Sequence, residues 1–395
     1  MPLSAKYLLR GGTLAGLLTA LLVPSAQALD GTLKTRQPLC SQPQQNCSAL
    51  FMLNAGEQVQ ITAQGEDPDW LEIYYPPSRR SGWLQTRDLR LNLPRQSQPR
   101  DIFQFEPKAC PVLLLAEPLP AVAAGRKVWT LDLDALKLQA QTPLRQLITD
   151  CRTLSPGWRT GSETVLLRQR AQERETFLEM ARERPAPRPP DYRVLLRQKF
   201  PEVQAQAAFS PELTLLAEGV GPWGNALLSR YSTAGEPQFV LPTARELMTF
   251  LPVSLRSRIR ADSLQIAGLE ASGVIALVAA QFTRREKLLL RLQITASIPW
   301  KYLGQLNWPE AVPWLPGKKQ PRVHMVSHGQ NIWLALAPAE TPDNYELFYF
   351  SVTGQALLQE KVTGLRDLWL DSRERLWVLQ QDRLSLRTLT ETSAP

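Results

Sequence analysis

Two stretches near the C-terminus, VSHGQNIWLAL (326–336) and LDSRERLWVLQ (370–380), align without a gap and set Trp333 against Trp377, 44 residues apart. Each reads as a short apolar strand, a polar turn and a second strand. Each is followed by another apolar run, ELFYF at 346–350 and RLSLR at 383–387. Runs this short, bounded by turn residues, are the pattern of strands rather than helices.

Working outward, the same texture recurs. ALLSRYSTAGEPQFVL (226–241) resembles ELFYFSVTGQALLQE (346–360), with Ser232 and Gly235 matching Ser351 and Gly354. KLLLRLQITASIPWKYLGQL (287–306) lies between them, and VWTLDLDALKLQAQ (128–141) is an earlier copy. Self-similarity at about 40–60 residues, with several strands per copy, points to a β-propeller. Copies near 110–150, 210–240, 265–306, 323–360 and 365–390 imply five to seven blades. The last copy lacks an outer strand, and DIFQF (101–105) is placed to supply it and close the ring. On this reading Trp333 and Trp377 pack between blades. The DxxxRLWV texture at 371–378 resembles blades of sugar-lactonase and NHL-like propellers over the last two units.

One stretch breaks the pattern. ETVLLRQRAQERETFLEMARERPAPRPPDYR (163–193) spaces Leu167, Ala171, Leu178 and Ala181 near helical intervals, which predicts a helix ending before Pro185. The RPAPRPP run then serves as a stiff connector. TARELMTFLPVSLRSRI (243–259) predicts a second short helix.

The N-terminal part differs. The chain opens MPLSAKYLLRGGTLAGLLTALLVPSAQA, with Lys6 and Arg10 before a short apolar run and Ala26-Gln27-Ala28 as a small-x-small site. This predicts a signal peptide over 1–28, cleaved after Ala28, and a periplasmic or secreted protein. The run is shorter than the roughly 20 residues a span needs, and no later stretch is apolar enough, so no transmembrane segment is expected in the mature chain. Losing Lys6 and Arg10 lowers the net charge from +8 to +6, 43 basic against 37 acidic residues. So mild a bias implies no nucleic-acid partner. The four cysteines, Cys40, Cys47, Cys110 and Cys151, are expected as disulfides in an oxidising space. Three pairings are possible, and the local one, Cys40–Cys47 with Cys110–Cys151, is favoured.

Between Leu29 and Pro94 short alternating strands predict a small barrel: LFMLNAGEQVQITAQ (50–64), DWLEIYY (69–75) and GWLQTRDLRL (82–91). The order of TLKTR (32–36), Leu53–Ile61 as LxxGxxVxI, Trp70–Ile73 and Gly82-Trp83-Leu84 resembles the bacterial SH3-like (SH3b) family over about 65 residues. QPLCSQPQQNC departs from it, standing where that family has Gly-Pro. The resemblance implies a targeting module for a peptide or the cell wall. Trp70, Tyr74, Tyr75, Arg79 and Arg80 are then the candidate ligand residues, and Trp83 is expected in the barrel core. Since strand residues alternate in face, Trp70 and Tyr74 share one side and Leu71, Ile73 and Tyr75 the other.

Chemistry is sparse. His324 and His328 lie four apart without the HExxH pattern of a helical zinc site. No G-x-S-x-G occurs, and GPWGN (221–225) lacks the lysine of a P-loop. The acid pairs Asp132/Asp134 and Asp367/Asp371 would suit a metal only with matching acids from other blades. No catalytic residue, metal ligand or cofactor is assigned. PWKYLGQLNWPEAVPWLPGKKQPR (299–322) reads as a proline-stiffened loop between blades, with Trp300, Trp308 and Trp314 as further ligand candidates.

The expected fold is therefore all-β: an SH3-like barrel over 29–95, then a β-propeller-like domain over 96–395 with one or two short helices. The expected function is an exported, non-catalytic envelope protein whose partner is peptidoglycan or another envelope protein. The alternative is a metal-dependent propeller hydrolase or lactonase.

Overall fold

The computed structural model describes residues 29–390 except 45, 65–69, 92–95, 117–118, 148, 173–174, 185–186, 199–203, 210–212, 219–226, 232–235, 241–245, 271–274, 282–286, 295–299, 310–311, 314–320, 329–330, 339, 351–353 and 355. The expected signal peptide lies outside these residues, as do the matched pairs Ser232/Ser351 and Gly235 of its pair with Gly354. Over 204–240 the strands are described by their backbone, and Glu236 is described with its side chain.

Seven strands form the first sheet: β1 (Leu29–Leu33), β2 (Gln37–Cys40), β3 (Ala49–Leu53), β4 (Gln58–Gln64), β5 (Trp70–Tyr75), β6 (Arg80–Gln85) and β7 (Leu89–Leu91). They pair antiparallel in the order β3-β2-β6-β5-β4-β1-β7. Leu39 and Leu53 from one edge meet Leu89 from the other in a single apolar cluster with Val59, Ile61, Leu71, Ile73 and Leu84. Opposite edges can share a core only if the sheet curls, so it forms a half-barrel. Gly82 permits the curl: a Cβ there would stand 2.6 Å from Leu39 Cγ and 2.8 Å from the Cys40 carbonyl.

After β8 (Gln96–Gln104) come meanders of four strands. The first is β9 (Val112–Ala116), β10 (Ala121–Ala124), β11 (Lys127–Asp132) and β12 (Lys137–Pro143). The second is β13 (Thr153–Thr160), β14 (Glu163–Gln172), β15 (Glu175–Glu183) and β16 (Asp191–Gln198), and the third β17 (Gln204–Phe209), β18 (Leu213–Glu218), β19 (Leu227–Tyr231) and β20 (Pro237–Val240). The fourth is β21 (Gln265–Leu269), β22 (Ile275–Gln281), β23 (Lys287–Gln293) and β24 (Lys301–Asn307), and the fifth β25 (Arg322–His328), β26 (Asn331–Ala337), β27 (Asn344–Phe350) and β28 (Ala356–Thr363). The sixth has three strands in sequence, β29 (Leu365–Leu370), β30 (Leu376–Gln380) and β31 (Arg383–Thr390), and takes β8 as its fourth.

The first strand of each meander neighbours the first strand of the next, and β29 returns to β9. The described residues thus form a closed ring of six blades, a β-propeller. The first two blades also share hydrogen bonds, β9 and β13 pairing parallel with Leu114 opposite Gly157. The closing strand is longer than DIFQF. β8 starts at Gln96, five residues ahead of DIFQF, with Pro99 tolerated because β8 is an edge.

Seams between blades are apolar. Trp333 of the fifth blade is buried with Leu365, Leu368 and Val378 of the sixth. Trp377 of the sixth is buried with Leu113, Val122 and Leu131 of the first. The repeated tryptophan therefore does one job twice, filling the gap to the following blade. Asp371 fixes the second copy, accepting from Trp377 Nε1 at 3.0 Å, from Arg375 Nε at 2.7 Å and from the backbone N–H groups of Arg373 and Arg375.

The helix expected over 163–184 is not formed. Those residues are the β14–β15 hairpin, in register from Thr164↔Glu183 to Gln172↔Glu175. The charges of this stretch are cross-strand partners: Glu179 takes Arg168 at 3.0 Å and Arg170 at 2.9 Å. Thr164 through Leu167 are all buried, which an amphipathic helix would not allow. The second expected helix is one short α-turn, Val253–Arg256, after a 3-10 turn at Glu246–Phe250. No helix among the described residues is long and apolar enough to cross a membrane.

Both local disulfides are present, with Cα separations of 5.4 Å for Cys40–Cys47 and 5.0 Å for Cys110–Cys151. The second joins the entries of β9 and β13, where two blades meet. Its closed loop spans 41 residues against 7 for the first. Loop entropy then gives about 4 kcal/mol for Cys110–Cys151 and about 2.5 kcal/mol for Cys40–Cys47. Replacing each pair by alanine should lower stability in that order in denaturant titrations. A larger loss from the Cys40/Cys47 variant would contradict the assignment.

Candidate functional site

The half-barrel presents one sheet face that its core does not use. β5 and β6 pair with Leu71 opposite Leu84 on the core side, so Trp70, Glu72, Tyr74 and Trp83 lie on the other. Glu72 is opposite Trp83 and Trp70 opposite Gln85, which makes the two tryptophans diagonal neighbours, within reach of large rings. Trp70 is 5% exposed without belonging to the core cluster, while Tyr74 and Trp83 are half-buried. Trp83 is thus not the core residue expected; Leu84 is. Met52 of β3, 44% exposed, extends this apolar side, because its neighbour Phe51 turns inward.

The rest of the expected barrel set is divided. Tyr75 packs against the core, its ring 5.5 Å from that of Phe51, and burial followed by the adjacent Glu57 carboxylate raises its hydroxyl pKa. Arg80 pairs with Tyr75 and so shares that side. Arg79 takes a left-handed conformation, φ 51°, and closes the Pro76–Ser78 turn with its N–H on the Pro76 carbonyl at 3.2 Å. Both arginines are exposed. The aromatic face therefore comprises Trp70, Tyr74 and Trp83; Arg79 sits in the turn beyond Tyr75, and Arg80 lies on the other side of the sheet.

The tryptophans expected on a propeller loop are placed otherwise. Residues 301–307 are β24, the outer strand of the fourth blade. Trp300 is 4% exposed and stacks on Phe250 at 6.3 Å; Trp308 is 6% exposed and donates its indole N–H to the Val312 carbonyl at 2.8 Å. Burial between elements withdraws both from any ligand. Trp314 lies outside the described residues.

The propeller's polar groups meet where the first strands begin. The third residues of three such strands, Ser155, His324 and Asp367, converge. Ser155 Oγ donates to Asp367 Oδ2 at 2.9 Å and accepts from the Leu113 N–H at 3.1 Å. Asp367 Oδ1 accepts from the Leu368 N–H at 2.8 Å and stands 3.9 Å from His324 Nδ1. His324 Nε2 lies 3.4 Å from the Tyr345 hydroxyl. Ser155 thus gives its proton to the acid, not to the imidazole, which is not the order a nucleophile and its base require. Arg366 donates to the carbonyls of Pro111 and Cys151 at 3.4 and 3.3 Å and to that of Thr153, tying the last blade to the first two.

The other acids of the two expected pairs serve turns and an ion pair. Asp132 accepts from the N–H groups of Asp134 and Ala135, Asp134 pairs with Arg373, and Asp371 holds its own turn. His328 is exposed beside the β25–β26 turn, away from His324's seam. Among the described residues no three histidine, cysteine or acid groups cluster as metal donors. Sequence spacing had no means of joining Ser155 to Asp367, since they meet only through ring closure.

Burial, offset in part by Ser155, lifts Asp367 to about 7. Burial and then the nearby Arg322 and Arg366 charges lower His324 to about 4. Relative to the unfolded chain, folded Asp367 holds its proton longer, so its contribution to stability falls as pH rises from about 4 to 7. Folded His324 refuses a proton the unfolded chain accepts, so its contribution rises from about pH 4 to 6.5. The slopes oppose, each at most about 1.4 kcal/mol per pH unit. Against the parent, Asp367→Asn should gain stability with pH across this window and His324→Gln should lose it, in denaturant titrations from pH 4.5 to 7.5. Parallel profiles for all three proteins would contradict the pairing.

No protein-family model matches the chain, and no curated protein matches it. Among solved structures the chain is similar to a streptogramin B lyase at 7% identity, covering 74% of this chain and 98% of that one with a TM-score of 0.33. It is similar to BamB from Moraxella catarrhalis at 10% identity, covering 92% and 94%, with a TM-score of 0.30. At these scores the propeller assignment rests on the strand pairings themselves.

Proposed function

We propose that the protein is an exported, non-catalytic envelope protein. Its half-barrel acts as an SH3b-like module that holds a peptide or cell-wall strand on the Trp70–Tyr74–Trp83 face, and its propeller is a scaffold for protein interaction. The division falls between β7 and β8, near residue 95. One observation carries the reading: the half-barrel fills its core without Tyr74 and Trp83, leaving two flat rings on one sheet face. Such rings bury area at low entropy cost and suit an extended ligand. Two disulfides support an oxidising compartment, where cytosolic reductants do not reach. Peptidoglycan and another envelope protein are the partners this reading implies.

Sedimentation with purified cell wall tests it. The mature protein should co-sediment at low salt, and Tyr74→Ala with Trp83→Ala should weaken binding about tenfold, which corresponds to about 1.4 kcal/mol. Trp70 is left intact because it is buried. Absence of binding, or binding indifferent to both substitutions, would overturn the peptide or wall assignment. One tightly held divalent ion per chain in a metal assay would overturn the non-catalytic one.

A further inference from the structure

The aromatic face of the half-barrel has a carboxylate at its centre. Glu72 lies two residues from Trp70 and two from Tyr74 on β5, and it stands directly opposite Trp83 of β6. Residues two apart on a strand share a face at about 7 Å, and opposed Cβ atoms stand about 5 Å apart. The three rings are therefore rooted around this one side chain. Its other neighbours on the face are uncharged: Gln85 opposite Trp70, Ser81 and Gln60 on the two sides of Tyr74, and Ala63 across on β4.

Stability gives no account of an acid at this position. Glutamate is a poor strand former, and the favourable cross-strand companion of a charge is its opposite. Glu72 is half-buried. Its backbone carbonyl accepts from Thr62 Oγ1 at 3.2 Å, but its carboxylate has no hydrogen-bond or ion-pair partner among the described residues. Strand carboxylates elsewhere are engaged: Glu179 by Arg168 and Arg170, Glu163 by Arg182, Glu360 by Arg387 and Asp101 by Arg383.

A lone carboxylate among aromatic rings suits an organic cation. One acid offers too few donors for a metal ion, and the rings add none. A guanidinium is planar and weakly hydrated, stacks within about 6 Å of a ring centroid, and gives paired N–H donors to a carboxylate. We propose that this face holds an extended peptide through an arginine side chain, the guanidinium lying against Trp83 and Tyr74 and donating to Glu72. Trp70, 5% exposed, backs the site. The inference rests on the reading of this face as a peptide site and adds what the peptide must carry. General attraction is no substitute for the local acid, because the chain is basic overall, +8 at pH 7, and repels a basic peptide at long range.

The test uses the mature protein and a fluorescein-labelled, C-terminally amidated heptapeptide of glycine, threonine and valine with arginine, lysine or citrulline at its centre. Citrulline keeps the shape of arginine without the charge. Anisotropy should show the arginine peptide binding about tenfold more tightly than the citrulline peptide, with lysine between them. Glu72→Gln should bring the arginine peptide down to the citrulline level and leave citrulline binding unchanged, while Trp83→Ala should weaken both. The peptide comparison on the parent protein needs no variant and decides should one fail to fold. Equal affinity for arginine and citrulline, or an arginine preference that survives Glu72→Gln, would overturn the cation proposal and leave the face as a peptide site. Binding of none of the peptides would also overturn it, and cell-wall sedimentation of Tyr74→Ala with Trp83→Ala then shows whether the face reading falls too.

Discussion

No blade of this ring can bury both of its faces alone. Trp333 lies against the sixth blade and Trp377 against the first, so each side chain depends on a neighbour for its environment. The apolar area removed from water at these seams is the main favourable term holding the domain together, and it is complete only when the ring is closed. Closure rests on β8, which precedes the first blade in sequence and completes the last. The Arg366 contacts to Pro111, Cys151 and Thr153 repeat that closure at the inner strands. Outer and inner edges are thus fastened between the same two ends of the chain.

How much of this could be read from sequence follows from what each residue pattern records. The Trp333/Trp377 repeat and the missing outer strand were legible because identical seams demand similar residues at a constant spacing. The second blade was not. Its arginines and glutamates satisfy each other across strands, while Leu167, Ala171, Leu178 and Ala181 fall near intervals that a helix would also explain. The burial of all four residues Thr164–Leu167, which speaks against an amphipathic helix, is visible only in the structure. On the half-barrel, alternation correctly separated Trp70 and Tyr74 from Leu71 and Ile73. It could not choose between Trp83 and Leu84 for the core, because both are apolar and adjacent.

Trp300 and Trp308 show the same limit. A tryptophan stacked on Phe250 and one bonded to its own loop carbonyl look, in sequence, like rings displayed for a ligand. Proline-rich surroundings favoured display, whereas the outer strand β24 between them favours burial. The Ser155–Asp367–His324 group was invisible for another reason. Its members stand on three different blades, and no local spacing records the rotation that brings those blades together.

The position of β8 also sets an order of events. The Asp101 and Arg383 side chains that meet across β8 and β31 are 282 residues apart in the chain. Contacts so distant in sequence form late, after the cost of closing a long loop has been met. A chain synthesised from its N-terminus must therefore carry β8 as an unpaired edge until the final blade exists. Pro99 within β8, with Arg100 and Asp101 beside it, is the sort of composition that keeps a waiting edge from pairing with the wrong strand. Assembly of the propeller is in this sense a terminal event, and a chain cut short before β31 would retain blades without a ring.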